Sequence, residues 1–186
     1  MPGFTPALYR YGKIAACFAI AGVISGLHVY VSLFGVGFVF GCAAFYCLRV
    51  IEDNEDERIL VLPLVTGVIY LLAMFIPPLF SKIAAEIQWI DELSRKLHGE
   101  NYNLFYIECA LIGSVLLAGY LHYLGGHMFY VIAVALSGTL LSIFFFNYVR
   151  ADSTLFDKFY PFIIWQITIG VLSVQALRRH KTQIQV

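Results

Sequence analysis

Charge is scarce in this chain. Only 13% of its 186 residues are Asp, Glu, Lys or Arg, where soluble domains carry about a quarter. The charge that is present cancels, with 12 Lys and Arg against 12 Asp and Glu. No net field therefore draws the protein onto nucleic acid, and no nucleic-acid partner is expected. The four cysteines, Cys17, Cys42, Cys47 and Cys109, form no CxxC pair. That spacing excludes a dithiol redox motif and a zinc ribbon, and leaves them as small packing residues inside apolar runs. The sequence also lacks GxSxG, HExxH, P-loop and dinucleotide fingerprints. Paired intramembrane aspartates and the aspartate-rich motif of membrane prenyl or phosphatidyl transferases are missing as well. His28 falls on the opposite membrane face from His122 and His127, which a bis-histidine haem does not allow. No cofactor or metal is expected.

What fills the chain instead is apolar surface. Hydrophobic residues make up 60% of the sequence, and the mean hydropathy is +0.80. Four charge-free runs stand out, at 14–48, 59–81, 109–149 and 159–177. The first continues far beyond the apolar core of a signal peptide and is read as retained. At 35 and 41 residues, the first and third would each exceed about 50 Å as a straight helix, so each must turn back on itself. Ser25-Gly26-Leu27-His28 and Gly125-Gly126 are the expected turns, because glycine accepts the dihedrals a tight reversal needs.

The expectation is an all-α integral membrane protein, a single polytopic domain over 1–186. It has six transmembrane helices at about 12–28, 31–49, 59–80, 103–123, 127–149 and 159–178. Five helices with a re-entrant segment is the rival arrangement. Lys82–His98 repeats apolar residues at three- and four-residue intervals (Ile83, Ile87, Ile90, Leu93, Leu97) with charges between them. It is read as an amphipathic helix over 82–98 lying in the interface plane, after a span ended by Pro77-Pro78. This divides the spans as 3+3, an arrangement that inverts one half relative to the other. Counting Lys and Arg near the ends gives seven on the side of the termini and five on the other. That bias puts both termini in the cytoplasm. The segment IEDNEDER, 51–58, carries five acids and reads as a solvated loop, or as a cation-attracting mouth or docking patch. Gly22-x-x-x-Gly26 and Gly37-x-x-x-Gly41 supply small faces for close packing within the bundle, with Ala133, Ser137 and Ser142 doing the same on the fifth helix.

One charge escapes the clusters. Glu108 stands inside an apolar run, where a carboxylate costs roughly 2.5 kcal/mol or more to insert. Topology places His28, Ser32, Asn147 and Gln166 in the same leaflet. Polar groups in hydrocarbon need partners within the protein or a water-filled cavity. Glu108, His28, Ser32, Asn147 and Gln166 are therefore the candidate substrate- or ion-binding set, with snorkelling or packing glue as the plain alternative for Glu108. No catalytic residue is assigned. The expected function is a small transporter or channel. The alternatives are a non-catalytic subunit or assembly factor that docks membrane partners through 51–58 or 82–98, and, behind both, a lipid- or quinone-handling enzyme. The lipid bilayer is the expected surrounding partner, in a plasma, inner or organelle membrane.

Overall fold

The structure, a computed structural model, describes residues 4–28, 33–85, 102–146 and 155–178. The described residues are helical with short connections and contain no strand. Six α-helices follow one another: α1 (Phe4–His28), α2 (Leu33–Tyr46), α3 (Leu62–Ala85), α4 (Tyr102–Tyr123), α5 (Met128–Phe146) and α6 (Leu155–Leu177). A π turn, Cys47–Ile51, closes α2, and a 3-10 turn, Glu57–Val61, leads into α3. The amphipathic segment beyond Ala85, the connections at 29–32 and 147–154, and the basic residues after Arg178 lie outside the described residues.

The helices depart from expectation in three places. α1 begins at Phe4 rather than near residue 12. The charges at Arg10 and Lys13 end the apolar run but not the helix. Pro6 sits in the first turn, where its missing N–H costs nothing. α1 keeps the expected end at His28, but Ser25 and Gly26 are helical and buried within it rather than part of a turn. α3 runs through Pro77-Pro78 to Ala85. Each proline removes one backbone donor and crowds the carbonyl four residues before it, yet the helix continues past the pair. The turn at Gly125-Gly126 falls where expected. Gly125 has φ +84°, and Gly126 N donates to Leu121 O at 2.8 Å, the close of a glycine-ended helix.

Each helix packs on the next, and α6 closes onto α1 to complete a ring; α6 also touches α2 and α4. The widest seams are α2 with α3, α1 with α6 and α4 with α5. Packing therefore groups the helices as three pairs, and the α1–α6 pair stitches the two halves of the chain together. Glycine makes these seams close. A side chain at Gly37 or Gly41 would strike Thr66 on α3, one at Gly22 the backbone of Ile163 on α6, and one at Gly170 the ring of Phe18 on α1. On α5 the close approach is at Gly138, against Ser114 of α4, one residue beyond the small face at Ala133 and Ser137. Phe18, Phe40 and Trp165 fill the middle, with ring centroids 5.3 and 6.2 Å apart in succession.

Many large apolar side chains also face outward. α3 turns Leu64, Val68, Leu72 and Phe75 outward, and α5 turns out Phe129, Ile132, Leu136 and Leu140. Three helical stretches, Pro6–Leu27, Phe34–Ile51 and Glu57–Pro77, are long and apolar enough to cross a membrane by length and composition. Met128–Leu141 and Ile163–Leu177 are shorter apolar helical stretches.

Candidate functional site

Consecutive antiparallel helices bring the start of α1, the 47–61 connection, the α4–α5 turn and the end of α6 to one end of the bundle. There the acidic segment sorts its residues alternately. Asp53, Glu55 and Glu57 are exposed, while Asn54 is buried and Glu52 and Asp56 are largely covered. The π turn sets this up: Glu52 N donates to Cys47 O at 3.0 Å, one residue further back than an α-helix allows. Asp53 follows at φ 52°, a left-handed conformation that aspartate tolerates better than most residues.

The Glu52 side chain is only 4% exposed and stands between two arginines from opposite ends of the chain. Arg178 Nε lies 3.2 Å from one carboxylate oxygen and Arg10 Nε 3.4 Å from the other. The Arg10 contact is Coulombic, since neither of its two atoms has a hydrogen-bond partner. Asn54 Nδ2 donates to Leu177 O at 3.1 Å, capping α6, and Asn54 O accepts from Arg49. Arg58 forks onto Asp56, with Nη2 at 2.7 Å, and reaches Leu124 O at 3.4 Å. His127 N donates to Ala176 O at 2.9 Å. First and second halves of the chain are thus tied at this end by one ion cluster and two hydrogen bonds, and His127 N–Ala176 O ties the α4–α5 turn to α6 within the second half.

A pocket of about 380 Å³ opens among these ties, within the range of roughly 300–1,000 Å³ usual for small-molecule sites. Asp56, Arg58, Leu124, Gly125, His127 and Arg178 are among the residues that line it. No member of the sequence-derived set lines it. Glu108 lies fifteen residues before the end of α4, so about 22 Å along that helix from the pocket end.

That set fares unevenly. Gln166 is 1% exposed at mid-bundle, and its Nε2 donates to Ser25 Oγ of α1 at 2.8 Å. Ser25 Oγ in turn donates to Val36 O of α2. Gln166 Oε1 is buried without a hydrogen-bond partner. Its recorded partner is therefore Ser25, about one turn of depth away from the level of Glu108. Glu108 is half-buried on α4, next to buried Cys109. His28 ends α1; its side chain, Ser32 and Asn147 lie outside the described residues. Among the described residues no three His, Cys, Asp or Glu side chains gather as a metal site.

The residues that sequence reasoning passed over are Glu52, Asn54, Ser25, Arg10 and Arg178 in their inward roles. One signal was available: the order Glu-Asp-Asn-Glu-Asp-Glu, 52–57, places a neutral amide among acids where a plain solvated loop needs none. Comparison with known protein families, with characterised proteins and with solved structures finds no match.

Proposed function

We propose that this chain is a multi-pass membrane protein of six spans, with both termini on the cytoplasmic side, and that it works as a small carrier. The membrane assignment rests on the outward rows of large apolar side chains on α3 and α5, which water would penalise as a contiguous patch and lipid would not. The carrier reading rests on one observation. The pocket lies between elements from both halves of the chain, and the Phe18–Phe40–Trp165 layer fills the bundle beneath it. A bundle open at one face and packed at its middle is one of the two states alternating access requires. The Glu52 cluster then acts as a tie between the halves at the open face. Glu108 stays in this proposal as a polar group toward the far end, for a substrate or coupling ion to reach once the middle opens.

A specific observation favours a second reading. The α1–α6 seam is among the widest in the molecule, as suits a rigid non-catalytic subunit rather than two rocking halves. Nitroxide labels at Glu55→Cys and Tyr123→Cys, both exposed positions on opposite halves, separate the two. In lipid bilayers a carrier gives two populated distances. One narrow distance would defeat the carrier and leave the subunit. An impermeant thiol reagent should reach both positions from the same side of the membrane.

A further inference from the structure

The carrier reading leaves open what enters the pocket, and the charge around it narrows the choice. Asp56 is consumed by Arg58, which contacts it through both Nε and Nη2. Glu52 behind the wall carries one negative charge shared between two guanidinium groups, Arg10 and Arg178. Among the charged side chains that line the pocket itself, two arginines, Arg58 and Arg178, stand against one carboxylate, Asp56, while Asp53, Glu55 and Glu57 of the same segment are exposed. A guanidinium carries five N–H donors. Arg178 approaches Glu52 through Nε, which leaves its Nη groups beyond that pair. Carbonyls that would repel an anion are already occupied: Leu177 O by Asn54, Ala176 O by His127 N and Leu124 O by Arg58.

We infer that this pocket binds a phosphate group, held chiefly by the Nη groups of Arg178, with Nη1 of Arg58, whose Nε and Nη2 stay on Asp56, and the His127 imidazole as further hydrogen-bonding groups. Planar guanidinium groups match tetrahedral phosphate oxygens in paired hydrogen bonds, which single-point cations do not. Two sources share this chemistry: free inorganic phosphate or a phosphate ester, and the headgroup of a phospholipid at the membrane surface. Apolar Ile59, Leu124 and Leu177 beside the arginines give room for either a headgroup or a small ester. The inference rests on the pocket and not on transport, so binding without movement across a membrane would retain it while removing the carrier.

The test uses the full chain purified in a neutral detergent. Inorganic phosphate is titrated in one arm, and in the other the protein is placed in nanodiscs of phosphatidylcholine with and without phosphatidylglycerol. Thermal unfolding and phosphorus NMR line broadening are the readouts. The expected result is a saturable rise in unfolding temperature with one probe, weakened at least tenfold in Arg178→Gln. The double variant Asp56→Asn/Arg58→Gln removes the second guanidinium together with its paired carboxylate, so the net charge is unchanged and only the guanidinium donors are lost. It should fold as wild type and lose the response. Saturation by inorganic phosphate assigns a soluble ligand, and a response only to phosphatidylglycerol assigns a headgroup. No response to either probe, or full binding retained in the folded double variant, would overturn the proposal.

Discussion

A carboxylate at 4% exposure beside two arginines, as at Glu52, is held by charge it cannot find elsewhere. Removing its charge leaves two partly covered guanidinium groups facing each other, which is costlier than losing the contact alone. Glu52→Gln should therefore lower stability by about 1–3 kcal/mol, read as a fall in unfolding temperature in detergent. Arg10→Gln should cost less, because Arg178 still serves the carboxylate and the Arg10 contact lacks hydrogen-bond geometry. If both changes were silent, the cluster would be a surface pair of the kind that contributes little. The mid-bundle node is a different case at the same scale. Gln166 and Ser25 satisfy one another only in part, since Gln166 Oε1 is buried without a hydrogen-bond partner. Sequence named Gln166 from its depth in an apolar helix, but its partner depends on how α1 rotates against α6.

Between elements, the seams are set by where side chains are missing. Gly37 and Gly41 let α2 lie against Pro63, Thr66 and Tyr70 of α3, and Gly67 in turn receives the ring of Phe34. Thr66 keeps its hydroxyl on Leu62 O at 2.8 Å, so it brings no unsatisfied group into that contact. Gly41→Val must displace Thr66 and the Pro63 backbone, and overpacking of this kind costs about 1–3 kcal/mol. Gly119 has open space where a Cβ would stand, with no atom within 4 Å. Gly119→Ala should stabilise α4 by about 0.5–1 kcal/mol. Thermal unfolding of the two variants side by side checks the pair. Equal effects would mean that the α2–α3 seam is looser than this geometry. The small-residue motifs on α1 and α2 were legible as spacing; that Gly22 meets α6 and Gly41 meets α3 was not, because spacing gives a face and no partner.

For the whole molecule, the question is what surrounds an outer surface carrying Leu136 at 59% and Leu140 at 63% exposure. If lipid does, Leu136→Arg at the middle of α5 should cost about 2.5–3.5 kcal/mol of insertion. Fractionation would show reduced membrane yield and more extraction by alkaline carbonate. Unchanged yield would mean that water or another protein, rather than lipid, covers this face. The same change at Tyr123, 71% exposed beside the charged end, should be tolerated, since an arginine there reaches the interface.

The apolar runs, their lengths and the glycine pair at 125–126 determined that the described segments are helical and alternate in direction, because hydrophobic length and turn chemistry are local properties. Hence Arg10, Arg58 and Arg178 could be assigned to one end before any fold was known. What the tertiary structure decided is which of those residues meet. The acidic segment reads as solvent-facing from composition alone, yet the π turn at 47–51 and the left-handed Asp53 rotate Glu52 and Asn54 inward onto α1 and α6. An inward turn is stable only where a partner charge waits. Those partners come from 42 residues before Glu52 and 126 after it, a juxtaposition produced by closing the ring of six helices and by no local pattern.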